Sequence, residues 1–207
     1  MAADYLEDPE AIYRASFAAI RAEADLARLP GDLRDLGLRL IHACGMTDVV
    51  DDLAWSPGAG EAGRRALRRG APIVTDVAMV AAGIARRRLV PGQTVTVAVG
   101  HPEAADAAAR RGTTRSAAGL ELERARLEGA VVVIGNAPTA LFRLLELHQA
   151  GRARPALVLG FPVGFVGAAE SKEALIGAGG DPPYVTLRGR RGGSALAAAA
   201  VNALLPA

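Results

Sequence analysis

The chain has 207 residues but only one cysteine, four phenylalanines, three tyrosines and one tryptophan. A single cysteine excludes an intrachain disulfide and a zinc site built on several cysteines. No apolar run reaches the roughly 18 residues that a membrane-spanning helix needs. The first residues are acidic and lack the apolar segment of a signal peptide. We therefore expect a cytoplasmic protein without membrane association, whose core consists mainly of small aliphatic side chains.

Lysine is equally scarce, because Lys172 is the only one and arginine supplies the rest of the positive charge. The net charge is only +2, and few aromatic residues accompany the arginine clusters, so we expect no nucleic-acid partner. A guanidinium binds carboxylates and phosphates through a planar fork. The clusters therefore indicate an acidic small molecule, unless they are simply solvated helix ends.

The second half of the sequence alternates short apolar runs with helical patterns. Nearly continuous apolar strands joined by helices are typical of a parallel sheet covered on both faces. We predict one domain over residues 1–207, an α/β fold of the flavodoxin-like three-layer α/β/α type, with extra N-terminal helices. Its five parallel strands should lie in the order 2-1-3-4-5. The predicted strands are 72–76, 94–100, 130–135, 156–160 and 184–189.

Two helices are predicted near the N-terminus. Asp8 followed by proline predicts the start of a helix that runs to about Leu29. Asp32 is expected to cap a second helix, which ends where Gly45 can adopt a left-handed conformation. His42 then falls in the last turn, where the helix dipole favours the imidazolium form. It is a candidate general acid, although a histidine in such a place more often only packs or caps.

Ligands of such folds bind at the carboxyl ends of the strands, near the switch in strand order. The turn that follows Gly135 has amides that would hold an anion, unless it is an ordinary strand-to-helix turn. It matches neither a P-loop nor a dinucleotide fingerprint. The candidate substrate-binding residues of these loops are Asp76, Met79, Asn136, Thr139, Gly164, Phe165, Lys172, Arg188, Arg190 and Arg191.

A further candidate lies at the start of another predicted helix. Thr114 can cap this helix, which places Arg115 in its first turn. The helix dipole disfavours a cation there, and a bound anion would reverse that effect; otherwise Arg115 is a solvated side chain. The three histidines have no metal-binding spacing, so we expect neither a metal ion nor another cofactor.

Six segments resemble the precorrin-8X methylmutase family, including its cobalt-precorrin-8 counterpart. Together they span nearly the whole chain. Thr75 departs from the resemblance, because it stands where the family more often has cysteine. The segments are DYLEDPEAIYRASFAAIRAEADL, RLIHACGMTD, GTTRSAAGLEL, VVVIGNAPTALFRLLEL, ALVLGFPVGFVGAAESKEAL and YVTLRGRRGGSALAAAAVNAL.

The resemblance implies an isomerase of cobalamin (corrin) biosynthesis. Such an enzyme moves a methyl group from C-11 to C-12 of the macrocycle in a 1,5-sigmatropic shift, which gives hydrogenobyrinate in the metal-free case. The resemblance also implies a homodimer in which His42 protonates the substrate while Ser16 and Arg115 bind it. A tetrapyrrole polycarboxylate suits the residues themselves, since arginines would hold its acidic arms and Phe165 its flat ring.

Three other functions are alternatives to this one. A corrinoid-binding carrier of the same fold would hold the ring without chemistry, and turnover of precorrin-8X separates it from an enzyme. A phosphate-binding regulator of the receiver type needs an acidic cluster at its first strand and a lysine after its last. A sugar-phosphate isomerase needs a phosphate loop, which the sequence lacks. Whether the substrate carries cobalt is left open by the resemblance.

Overall fold

A six-stranded sheet forms the centre of the computed structural model, which describes residues 5–206. The strands are β1 Leu53–Trp55, β2 Ile73–Thr75, β3 Val95–Val97, β4 Val131–Ile134, β5 Leu157–Gly160 and β6 Tyr184–Leu187. The helices are α1 Pro9–Glu23, α2 Arg34–Cys44, α3 Ala59–Arg68, α4 Ala78–Gly83, α5 Ala104–Arg111, α6 Arg115–Leu122, α7 Pro138–Gln149, α8 Ala168–Gly177 and α9 Ser194–Leu204.

The strands lie in the order β1-β6-β5-β4-β2-β3. Strands β2 to β6 are parallel, whereas β1 is antiparallel to β6, with Leu53 opposite Leu187. The prediction of a five-stranded sheet is therefore wrong by one edge strand. β1 has only three residues, and its partner is more than 100 residues away in the chain, so no local pattern marks it.

The α/β class is confirmed, and each face of the sheet carries its own apolar core. Along β4, Val131 and Val133 face one core while Val132 and Ile134 face the other, as the two-residue period of a strand requires. Helices α2, α3, α4 and α9 pack on the first face, and α6, α7 and α8 on the second. Helices cover both faces of the sheet, which explains why the strands are nearly continuous apolar runs in the sequence.

The first helix begins as predicted but ends early. The Asp8 carboxylate accepts hydrogen bonds from the amides of Glu10 and Ala11, and Pro9 is the first helical residue. The helix ends at Glu23 rather than near Leu29, and a short 3-10 turn follows it. The Asp25 carboxylate caps that turn by accepting the Ala27 amide, so the 3-10 turn begins with its own N-cap after α1 has ended.

Helix α2 ends as predicted but does not use the predicted cap. Asp32 instead accepts the Glu61 amide at 3.3 Å, and its carbonyl accepts Arg64 at 2.6 Å. These bonds join the segment before α2 to the start of α3. At the other end Gly45 has φ +70° and donates to the carbonyl of Ile41, which leaves His42 in the last turn.

Helix α9 belongs to the core. It lies between the sheet and helices α2 and α4, and most of its residues are buried. Its small side chains permit close approach, since a Cβ on Gly83 of α4 would lie 2.7 Å from the Cβ of Ala198. Gly193 holds the N-capping position of this helix, and Ser194 is its first helical residue. Within residues 5–206 no helix is both long and apolar enough to cross a bilayer.

Candidate functional site

The predicted site residues gather at one edge of the sheet. Parallel strands end on the same side, so the loops after β2, β4, β5 and β6 emerge together. The end of α2 reaches the same edge, because Met46 lines a pocket together with the loops after β5 and β6. His42 lies four residues before Met46, in the last turn of α2.

His42 is exposed, but its ring is held in a defined orientation. Its Nδ1 atom lies 2.9 Å from the Ser16 hydroxyl, and the tautomer decides which of the two donates. The rings of Tyr13 and Phe17 meet the imidazole edge-on, with centroids 5.5 and 5.1 Å away. Because Ser16 occupies Nδ1, the Nε2 atom is the ring nitrogen left for a ligand.

The partners of His42 all come from α1. Tyr13, Ser16 and Phe17 have the i, i+3, i+4 spacing that places side chains on one helix face. Ser16 was predicted from the sequence, but Tyr13 and Phe17 were not. The i, i+3, i+4 spacing of the three residues would have placed both aromatic rings on the same helix face as Ser16.

An apolar pocket of about 260 Å³ opens beside the end of α2. Met46, Val163 and Phe165 line it, and Arg190 borders it. The side chain of Phe165 is 83% exposed, and the Arg190 guanidinium lies 5.1 Å from the centre of its ring. A large exposed aromatic next to a pocket is typical of a binding surface rather than of a closed core.

The two loops that line this pocket are tied to each other. The amide of Gly164 donates to the carbonyl of Arg190 at 3.3 Å, and that of Gly193 to the carbonyl of Phe161 at 2.8 Å. At Gly192 a Cβ atom would collide with the backbone oxygens of this neighbouring loop. Only glycine therefore permits this contact, and the pocket wall is a single backbone unit.

The arginines after β6 differ in their availability. Arg188 forms a bidentate pair with Glu173 at 2.7 and 2.8 Å, and Arg191 pairs with Asp48 and Asp52. The guanidinium groups of both arginines are thus partly engaged within the protein, and their predicted role in holding substrate stays a prediction. Asp48 consequently faces Arg191 and not His42.

Arg190 and Arg115 are the two predicted substrate-binding arginines that remain available. Neither forms an ion pair with any side chain of residues 5–206. Both are exposed at the crevice edge. The free guanidinium groups therefore remain the best placed to meet acidic groups of a ligand.

The turn after β4 does bind an anion with its amides, and that anion is the carboxylate of Asp76. Asp76 is fully buried, and its carboxylate accepts the amides of Gly135, Asn136 and Ala137 at 2.8 to 2.9 Å. Burial raises the pKa of Asp76, against the lowering effect of these amide bonds. The carboxylate of Asp76 is thus engaged within the protein, and its predicted contact with substrate stays a prediction. Its carboxylate shapes the loop that presents Asn136 to solvent.

The starts of α6 and α7 are joined at the same edge. The Thr114 hydroxyl caps α6 by accepting the Ala117 amide at 3.2 Å, as predicted, and lies 2.7 Å from the hydroxyl of Thr139. Both threonines are exposed, and Arg115 follows in the first turn of α6. Met79, at the start of α4, is exposed as well. Thr75 is buried, and its hydroxyl donates to backbone carbonyls.

Lys172 is fully buried, and its predicted contact with substrate stays a prediction. Its ammonium donates to the carbonyl of Arg191 at 2.7 Å and so fixes the loop after β6 from beneath. Burial lowers the pKa of Lys172 to about 8, against the opposing charges of Asp52 and Glu173. Across the described part of the chain, no group of three or more histidine, cysteine, aspartate or glutamate side chains is arranged to hold a metal ion.

Comparison with known proteins places these residues in context. The family model described as CbiC, precorrin-8X methylmutase, matches residues 11–207. A precorrin-8X methylmutase of Pseudomonas aeruginosa is 61% identical, with 97% of each chain covered. A cobalt-precorrin-8 methylmutase of Salmonella typhimurium is 40% identical over 97% of this chain and 96% of its own. The crystal structure of precorrin-8x methyl mutase from Thermus thermophilus superposes with a TM-score of 0.85, at 39% identity, and covers 94% of both chains.

The buried amine of Lys172 gives the protein a specific pH dependence. Its pKa is lower in the folded protein than in the unfolded chain, so the unfolded chain binds more protons between about pH 8 and 10.5. The free energy of unfolding should therefore rise in that window. Relative to a Lys172→Met variant, it should rise by about 2 kcal/mol between about pH 7.5 and 10, as measured by urea denaturation. A difference independent of pH would show that the amine is not desolvated.

Proposed function

Because the chain belongs to the precorrin-8X methylmutase family, whose members are isomerases of cobalamin biosynthesis, we propose that it moves a methyl group from C-11 to C-12 of precorrin-8X with His42 as the general acid. The observation that carries this proposal is the placement of His42. It is an exposed imidazole whose Nδ1 atom lies within hydrogen-bond distance of Ser16 and whose ring is flanked by Tyr13 and Phe17. It stands four residues before Met46, which lines the apolar pocket. The product would be hydrogenobyrinate.

The reaction makes few chemical demands on the protein. A sigmatropic shift uses no nucleophile; it requires a conjugated ring that is electron-poor and held in one geometry. Protonation of the ring by Nε2 of His42 would withdraw electrons from it. Ser16 supports this role because its hydroxyl at Nδ1 fixes the plane of the imidazole and leaves Nε2 facing outward. A positioned general acid contributes about 10²–10⁴-fold to a rate.

The crevice suits a flat ring that carries acidic arms. Met46, Val163 and Phe165 offer an apolar surface for the macrocycle. Arg190 lies over the Phe165 ring and Arg115 projects at the start of α6, so both can bind carboxylates through charge-assisted hydrogen bonds. The side chains of Met79, Asn136 and Thr139 are exposed near the carboxyl edge of the sheet and are proposed to contact the substrate as well.

The substrate is proposed to be metal-free. The relative from Pseudomonas aeruginosa, named for precorrin-8X, is 61% identical, whereas the Salmonella typhimurium relative named for cobalt-precorrin-8 is 40% identical. Relative turnover of the two forms of the substrate tests this choice.

We further propose that the fold is flavodoxin-like, with one antiparallel edge strand added. In support, the parallel strands lie as β3-β2-β4-β5-β6, which is the order 2-1-3-4-5 when counted from the first of them. The order then reverses between β2 and β4, where Asp76 and Asn136 lie, as expected for a ligand crevice. The family model's span of residues 11–207 supports a single domain. A cytoplasmic location agrees with the one free cysteine, Cys44, and cell fractionation tests it.

Assembly as a homodimer remains a proposal drawn from the family resemblance. Helix α9, with its many alanines, is not available for it, because it packs inside the protein. The exposed side chains of Met79, Phe165 and Val166 are better candidates for an interface next to the crevice. Sedimentation velocity at micromolar concentration should show a dimer with two-fold symmetric contacts. A pure monomer under those conditions would contradict the proposal.

Loss of the proposed acid should abolish turnover without abolishing binding. His42→Ala should slow conversion of precorrin-8X by about 10²–10⁴-fold, because the ring is no longer protonated while the arginines and the apolar surface remain. The measurement is the absorption change as hydrogenobyrinate forms, together with the affinity for hydrogenobyrinate.

His148→Ala is the matched control for this experiment. His148 lies at the opposite end of α7 from the crevice, and its Nδ1 is 2.9 Å from the carbonyl of Ala153. Its replacement should leave the rate within about threefold of wild type, well below the effect of a lost acid. If His42→Ala also turns over within that range, His42 is not the acid.

The proposed carboxylate contact of Arg115 predicts a loss of affinity. Arg115→Ala should weaken hydrogenobyrinate binding by about 1.5–3 kcal/mol, the range for a hydrogen bond to a charged group. Arg124→Ala is the control, because Arg124 is an exposed arginine just beyond the other end of α6. Calorimetric titration should separate the two variants, and equal affinities would remove Arg115 from the site.

A further inference from the structure

A second pocket, of about 400 Å³, lies between α1, α2, α3 and the end of α9. It is separate from the apolar pocket next to Met46, and none of the predicted site residues lines it. Five arginines from four different segments surround it, and we call it the arginine pocket. They are Arg21 of α1, Arg39 of α2, Arg64 and Arg68 of α3, and Arg88 of the short turn before β3.

Positive charge dominates the arginine pocket. Among its lining residues in the described chain, Asp35 alone carries a carboxylate. Within residues 5–206, neither Arg21, Arg39 nor Arg68 forms an ion pair, and Arg64 has only Glu61, at 3.9 Å. Like charges gathered in one concave, half-buried place repel one another, and a bound anion would relieve that repulsion.

Hydrogen bonds to neutral groups hold several of these side chains in place. Arg88 donates to the carbonyls of Asn202, Leu205 and Pro206 at 2.8 to 2.9 Å. Arg39 donates to the Tyr13 hydroxyl at 2.8 Å. Burial and the neighbouring charge of Arg39 lower the pKa of Arg88, which indicates how closely the cations are gathered.

The guanidinium groups are therefore preorganised and only partly used. Each arginine has five N–H donors. Arg39 uses one of its donors on Tyr13, Arg64 uses one on the carbonyl of Asp32, and Arg68 has no hydrogen bond from its side chain to residues 5–206. The remaining donors of several side chains converge on a volume that suits a small polar ligand.

We propose that the arginine pocket binds a ligand with several oxyanion groups, carboxylates or phosphates. Two sources supply this chemistry. One is the acidic arms of the tetrapyrrole at the His42 site, a source that rests on the proposed function. The other is a separate polyanionic metabolite, which does not rest on it.

The arginine pocket is linked to the proposed acid through aromatic side chains of α1. Phe17 lines the pocket and also packs edge-on against the ring of His42. Arg39 lies 5.9 Å from the centre of the Phe17 ring and bonds to Tyr13, the second ring that meets His42. An anion that draws Arg39 into the pocket therefore acts on both aromatic contacts of the imidazole.

The first experiment measures anion binding without any tetrapyrrole. Tripolyphosphate and citrate are titrated into the full chain by calorimetry at low ionic strength, where charge interactions are least screened. Wild type should bind at least one of the two probes saturably, at one site per chain. The double variant Arg21→Gln/Arg68→Gln should raise the Kd about tenfold or more, since two charged donors are lost.

The matched control is Arg65→Gln/Arg69→Gln. It also removes two positive charges from exposed side chains, but these residues lie outside the arginine pocket. Its Kd should stay within about threefold of wild type, because only the diffuse field of the protein changes. Absence of saturable binding in wild type, or equal losses in both double variants, would overturn the proposal.

Competition with hydrogenobyrinate then identifies the source. If the probe competes with hydrogenobyrinate and Arg21→Gln/Arg68→Gln weakens both, the pocket holds the arms of the tetrapyrrole. If hydrogenobyrinate binds equally well in this variant and in the presence of the probe, the pocket serves a separate anion. Both results uphold an oxyanion site. A failed anion titration would remove the site but leave the role of His42 intact, because the two measurements share no ligand.

Discussion

The buried carboxylate of Asp76 is the contact on which the crevice depends. It lies where β2 ends and accepts three consecutive amides at the end of β4, so it bridges two neighbouring strands at the carboxyl edge of the sheet. A turn with three inward amides attracts an anion. Here the protein supplies the anion itself, as the Asp76 carboxylate, and the loop after β4 is ordered without a ligand. Asn136 is presented to solvent as a consequence, and the adjoining start of α7 is set for the contact of Thr139 with Thr114.

The same internal neutralisation divides the arginines of the crevice into two groups. Arg188 and Arg191 have acidic neighbours and serve the architecture, and the amine of Lys172 supports Arg191 through its carbonyl. Arg190 and Arg115 have no such partners in residues 5–206. An ion pair within the protein uses part of a guanidinium's donor set and fixes its position. One set of charges therefore orders the loop, and the other set has no acidic partner in residues 5–206.

His42 illustrates how a single exposed side chain is given a defined orientation. His42 lies in the last turn of α2, while α1 contributes a hydroxyl at Nδ1 and two aromatic edges. Neither helix creates this arrangement alone. The joint position of α1 and α2 also encloses the arginine pocket, so the orientation of the proposed acid and the gathering of positive charge share one piece of structure.

Local chemistry in the sequence was sufficient for much of this protein. The apolar runs of β2 to β6, the Asp8 cap, the Gly45 terminus of α2 and the Thr114 cap of α6 each depend on neighbouring residues, and each was predicted in type. The position of His42 in a last helical turn followed from the same local rules. The resemblance of whole segments then identified the family.

Tertiary structure decided what depends on residues that are distant in the chain. β1 exists because Leu53 meets Leu187, and no local pattern encodes that pairing. The arginines look alike in sequence, but Arg191 is paired and Arg190 is not, because only the fold determines which one faces Asp48 and Asp52. Asp76 follows β2 and Lys172 lies in α8, and both were predicted to contact a ligand, yet the packing of neighbouring elements buries both. The sequence by itself thus determined most of the helices and the parallel strands, and it singled out His42 as the candidate acid. The fold decided which charged groups hold the protein together and which remain for a ligand, because a charge is satisfied by its neighbours in space.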